Sequence, residues 1–236
     1  MPRFVVTPSL SAALVLSCAP LMLLASCTAE VVPTTPIRVR IENVAAADAL
    51  TTSTGPIAFH LPPGAWATTN GASPLYALGE ADRGEGLEAL AEDGDPVPVA
   101  EALIARGEQA GVFSYNVATY LDGAIASGQA FVLDLDVREG EHLHLAAMLG
   151  ESNDTFFSTD AAGIPLFSGG ALATGDATSH LLLVDLGTEV NQPLGEGADQ
   201  APRQSAPNTG AVEGGVAREV TTLSAASFVR VTIERR

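Results

Sequence analysis

Two segments near opposite ends of the chain carry the same period-two pattern. Ile37, Val39 and Ile41 alternate with Arg38, Arg40 and Glu42, and Val229, Val231 and Ile233 alternate with Arg230, Thr232 and Glu234. Strict alternation puts the apolar set on one face of an extended segment and the polar set on the other, so each reads as a half-buried strand. Two such strands at the extremes of a chain close one domain if they pair, and we expect them to. Phe131, Leu133, Leu135 and Val137 form a third alternating run, with Val132, Asp134 and Asp136 between them. A fourth runs through Leu143, Leu145, Ala147 and Leu149, and Arg138-Glu139-Gly140 predicts a hairpin turn joining it to the third. Residues 57–61, 112–120 and 180–185 are shorter strand candidates. Helical spacing is confined to 86–92 and 98–106, separated by Asp93-Gly94-Asp95-Pro96 and closed by Gly107 as a C-cap. Many strands with one helical insertion predict an all-β fold, an antiparallel β-sandwich.

The charge balance narrows the function. The chain has 11 arginines, no lysine and 28 acidic residues, a net charge of −17. A basic footprint for DNA or RNA is lacking, which excludes nucleic-acid binding. An acidic surface suits solubility and cation capture.

The first 26 residues read as an export signal. Arg3 supplies a short positive region, and the apolar stretch from Val5 to Leu24 is interrupted by Pro8 and Pro20. Leu24-Ala25-Ser26-Cys27 resembles the bacterial lipobox, which implies cleavage before Cys27 and acylation of its thiol. Two or more acyl chains give stable membrane anchoring at about 0.8 kcal/mol per buried CH₂. The other reading is an ordinary secretory signal cleaved nearby, for example after Ala29. Thr28 in place of Asp points, by resemblance to enterobacterial sorting, to the outer membrane. Residues 27–36, with Pro33 and Pro36, read as an extended tether ahead of a domain spanning 37–236. Both cysteines lie within the first 27 residues, so disulfides and cysteine chemistry play no part in that domain.

The chemistry-bearing candidates are acidic. Asp185 closes the apolar run Leu181-Leu182-Leu183-Val184, and Gly187 permits a tight turn that brings Glu189 back towards it. Asp154 ends the loop Ser152-Asn153-Asp154, directly after another strand. If both loops lie at one end of the sandwich, three carboxylates converge and repel one another without a cation. Calcium, which takes six to eight oxygens in adaptable geometry, suits such a set better than magnesium or zinc. The plainer alternative is that Asp154 and Asp185 cap turns through Asx hydrogen bonds.

Five segments together resemble the spondin domain, the amino-terminal module shared by F-spondin-like matrix proteins and many secreted bacterial proteins. They are Pro62-Pro63-Gly64-Ala65, Leu75-Tyr76-Ala77-Leu78-Gly79, the stretch from Gly86 to Pro96, the stretch from Met148 to Asp154, and Asp185-Leu186-Gly187-Thr188-Glu189. The resemblance covers about residues 37–236. It implies a C2-like sandwich of about eight strands with calcium at one end, held by the family's three acidic positions, here Asp154, Asp185 and Glu189. Asn153, Asn191 and Glu151 are candidates for supporting these ligands. Thr155 departs from the family's usual Trp, and the disulfide cysteines of animal members are missing.

The leading expectation is therefore a lipid-anchored, calcium-binding adhesion or binding module at the bacterial envelope, or secreted, and not an enzyme. Its partner would be an envelope or extracellular protein or glycan. An envelope hydrolase and a scaffold with purely structural calcium are the alternatives; His60 and His180 lack a G-x-S-x-G elbow. His142 and His144, at i and i+2, share a strand face where zinc or copper is conceivable, and a solvent-facing pair is the simpler expectation. Asp134 and Asp136 read as a solvated face, and Trp66 as a core anchor. Residues 191–216 carry almost no large apolar side chain, so they either serve a site or lack order.

Overall fold

The structure, a computed structural model, describes residues 32–236 except 117 and 120; the segment read as an export signal, Cys27 and the first residues read as a tether lie outside the described residues. The chain opens with β1 (Thr35–Asn43), whose alternation buries Ile37, Val39 and Ile41 and turns Arg38 and Arg40 outward. After a small hairpin at 50–57 comes β2 (Gly64–Thr69). Two helices follow, α1 (Leu87–Asp93) and α2 (Val97–Ala105). Gly94 ends α1 with φ at +70°, its N–H returning to the Leu90 carbonyl and that of Asp95 to the Ala89 carbonyl, as at a left-handed C-terminal residue. The strands that build the sandwich beyond these, two-residue strands at 121–122 and between 164 and 176 aside, are β3 (Gln109–Phe113), β4 (Tyr115–Asn116), β5 (Ala130–Val137), β6 (His142–Met148), β7 (Thr155–Thr159), β8 (Leu181–Asp185), β9 (Arg218–Glu219) and β10 (Val229–Arg235).

These strands make two antiparallel sheets. One runs β10-β1-β5-β4, and the other runs β9-β8-β7-β6-β2-β3. The terminal strands pair as expected, with Val39 opposite Ile233 and Ile41 opposite Val231. The core between the sheets takes Ile37, Phe131, Leu133, Val231 from the first and Leu143, Leu145, Phe157 and Leu183 from the second. The half-buried Trp66 packs against the same core. The outer face of the second sheet is also covered. Leu87, Leu90 and Ala91 of α1 and Val99 and Leu103 of α2 pack on Ala65, Ala67, Ala146, Phe156 and Val184. The fold is an all-β sandwich carrying a small helical layer on one side.

That helical layer explains one departure from expectation. The turn at 138–140 does not make a hairpin: β5 and β6 lie in different sheets. Asp134 and Asp136 need an open face, whereas β6 buries both of its faces. The two strands therefore cannot share one layer, and only the second sheet offers cover on both sides. Glu141 secures the crossing turn by accepting the Arg138 backbone N–H at 2.8 Å. The histidine pair also departs from the solvent-facing pair expected, but here loops supply the cover: His142 is half-buried, with Nδ1 2.7 Å from the Ala162 carbonyl. His144 is completely buried, with Nε2 3.3 Å from the Thr69 hydroxyl and Nδ1 without a hydrogen-bond partner. Its ring packs so closely on Gly163 that a β-carbon there would lie 2.6 Å away.

Candidate metal centre

Strand register brings the acidic residues to one rim. Asp185 at the end of β8 pairs with Thr155 of β7 on one side and with Arg218 of β9 on the other. Asp154, immediately before β7, joins them there. The turn beyond β8 depends on Gly187, whose φ is +77° and where a β-carbon would approach the Val216 backbone to 2.8 Å. Two backbone bonds exploit that approach: Gly215 N–H donates to the Gly187 carbonyl at 2.7 Å and Glu213 N–H to the Thr188 carbonyl at 2.8 Å. They carry Glu213 to the same rim. One carboxylate oxygen each from Asp154, Asp185 and Glu213 lie within 4.8 Å of one another.

The two aspartates are buried with their hydrogen-bonding capacity half used. Asp154 Oδ2 accepts the backbone N–H groups of Thr188 (2.9 Å) and Glu189 (3.1 Å), while Oδ1 is buried and has no partner among the described residues. Asp185 Oδ2 accepts from Asn191 Nδ2 at 2.8 Å and from Arg218 at 3.3 Å, and its Oδ1 too is buried without a partner among the described residues. Buried polar atoms are nearly always paired, and each orphan costs about 1–3 kcal/mol. Burial, and after it the charge of Asp185, pushes the Asp154 carboxyl up to about 6, against the pull of the backbone N–H groups of Glu189, Thr188 and Gly187. Neutralising such a pair is a task for which a cation is chemically suited.

Glu189 lies beside this group in a different setting. Its carboxylate accepts the Gly210 N–H at 2.8 Å and Asn153 Nδ2 at 3.2 Å, and a β-carbon at Gly210 would overlap it. Its backbone N–H is one of the two that hold Asp154. Asn191 supports Asp185 directly, whereas Asn153 acts on Glu189, and Glu151 receives Arg203 at 3.3 Å. The 191–216 segment is thus an ordered wrap over the rim. Gln200 is fully buried and donates to the Pro193 carbonyl at 2.8 Å, and Gln204 reaches Asp93 at the end of α1 at 2.7 Å.

Three contributors escape a reading of the sequence alone. Glu213 sits in a glycine-rich stretch with no fixed spacing from the aspartates. Arg218 becomes visible only once β8 and β9 are paired. Glu92, in the last turn of α1, is 2 % exposed, and neither of its oxygens has a hydrogen-bond partner among the described residues. Burial above all pushes its carboxyl up to about 7; Thr188 opposes this, and the charges of Glu189, Glu88 and Asp154 reinforce it.

All the converging donors are carboxylate oxygens, the ligands of a hard cation. Glu213 is about a quarter exposed, so the group opens to solvent on one side and leaves room for water ligands. Three protein oxygens completed by water or carbonyls suit the tolerant geometry of calcium more than the strict octahedron of magnesium. No family model and no curated protein matches the chain.

Proposed function

We propose that this chain is a spondin-like, calcium-binding β-sandwich, exported and anchored through Cys27, that serves as a binding or adhesion module at the bacterial envelope. The observation that carries the reading is the pair of buried, unpartnered carboxylate oxygens of Asp154 and Asp185 beside the more exposed Glu213. Asp154 and Asp185 supply the fixed ligands and Glu213 the outer one, with Glu189 close enough to add its negative field. The ion removes repulsion among these acids and ties the 187–191 and 211–218 segments to the end of the sandwich. Those ordered loops then present a surface to an envelope or extracellular protein or glycan.

A site of this extracellular type has a dissociation constant of about 0.1–1 mM. Tenfold excess calcium then stabilises the fold by about 1.4 kcal/mol. For a domain of this size that is a rise in melting temperature of about 3–6 °C. Asp185→Asn should abolish the rise while leaving the protein folded in chelator. An unmoved melting temperature in the wild type, or an equal rise in the variant, would refute the site. Pull-downs from envelope extracts with calcium and with chelator test the partner: retention independent of calcium would leave the ion a structural part only.

A further inference from the structure

We propose that Arg218 is the cation's built-in competitor, so that a divalent ion enters the site by displacing its guanidinium. This rests on the metal-binding reading above. A single terminal nitrogen, Arg218 Nη2, contacts Glu213 Oε1 at 2.9 Å, Glu213 Oε2 at 3.0 Å and Asp185 Oδ2 at 3.3 Å. Two of the three converging acids are therefore bridged by one positive atom. Calcium needs its oxygens at about 2.3–2.6 Å. A nitrogen lodged between Asp185 and Glu213 and an ion bound to both cannot share that space.

The placement follows from the fold. Asp185 and Arg218 are directly opposed on β8 and β9, so the register delivers the guanidinium to the rim whichever way the 191–216 segment runs. Glu213 lies on the strand-ward continuation of the same segment and reaches the rim through its bond to Thr188. The compensation that Arg218 gives is incomplete. It leaves Asp154 Oδ1 and Asp185 Oδ1 without partners, and a doubly charged ion closer to all three acids would satisfy what a singly charged group does not.

Displacement is feasible because Arg218 is at an edge. Its side chain is 47 % exposed, so the freed guanidinium swings into water without becoming buried and unpaired. The buried aspartates stay where their backbone and Asn191 bonds hold them. Arg218 thus lowers calcium affinity and keeps the rim partly neutralised when calcium is scarce. The site responds to calcium at a concentration set by the difference between the two cations.

Titration calorimetry with calcium chloride on the purified protein tests this. Arg218→Gln, and Arg218→Thr as a β-forming second variant, should each bind calcium about three- to fivefold more tightly than the wild type, the upper part of the scale for losing one partly exposed ionic bridge. Arg83→Gln removes the same charge from the neighbouring segment that pairs with Ala217 through Glu80, and should change affinity by less than about twofold. Wild type that binds calcium while both Arg218 variants bind equally or more weakly would overturn the competitor and make Arg218 a support for Glu213. Equal tightening in Arg83→Gln would overturn it as well, since general charge would then suffice. Absence of binding in every protein, all of them folded by circular dichroism, would overturn the metal reading itself.

Discussion

Replacing His144 with glutamine should flatten the acid side of the stability profile. Burial holds the His144 imidazole down to about 4, with a smaller opposing pull from the Gly71 backbone. In the unfolded chain the same ring titrates near 6.5. Between those values the unfolded state binds a proton that the folded state refuses, so stability falls as pH drops through this window. The full stability is present above about pH 6.5, and the loss is complete near pH 4. It amounts to on the order of 2–3 kcal/mol. The structural cause is specific: the ring is locked between β2 and the turn at Gly163, Nδ1 finds no acceptor, and an added proton would have nowhere to send its hydrogen bond. Urea midpoints in chelator at pH 7, 5.5 and 4.5 give the test, read as the difference between variant and wild type at each pH. The gap should move in favour of the variant as pH falls. Parallel profiles would show that His144 does not carry the acid sensitivity.

His144 also shows where sequence patterning stops being readable. β1 and β10 were legible because one face of their sheet is open to water, so alternation is clean and even the pairing of the two termini could be anticipated. β6 alternates just as well on paper, yet its second face is roofed by other elements, and burial on both faces is a property of the layer above rather than of the strand. The misplaced hairpin at 138–140 has the same origin. The helices were legible from spacing and from Gly94 and Gly107. In the acidic site, Asp185 announces itself because it stands where an apolar run ends, and Asp154 because it closes a short polar loop between two strands. Glu213 does not, since its position depends on a close backbone approach between Gly187 and Gly215. Glu92 reads as the polar side of a short helix with Glu88 one turn before it. Only the packing of α1 on the sheet shows that Leu87, Leu90 and Ala91 draw it under the 188–189 turn.

Glu92→Met should stabilise the protein in chelator at pH 8 by on the order of 2–3 kcal/mol, and the gain should vanish near pH 4.5. The sign follows from a carboxyl pushed up to about 7 in the fold against about 4.5 when free. Between these values the folded state holds a proton that the unfolded state has released, so the wild type loses stability as pH rises through 4.5 to 7, opposite in direction to the His144 effect. Methionine fills a similar volume without asking for hydrogen bonds. Glu92→Gln should flatten the pH dependence equally but stabilise less, because its amide inherits the unpartnered surroundings. A stabilisation of equal size at every pH would mean that packing rather than ionisation is responsible. The proposed calcium site supplies a further test. An ion among Asp154, Asp185 and Glu213 offsets the negative field that Glu92 now feels from its neighbours, so at pH 8 saturating calcium should narrow the gap between wild type and Glu92→Met. A buried acid that weakens the bare fold is then explained as part of the field that draws the cation in.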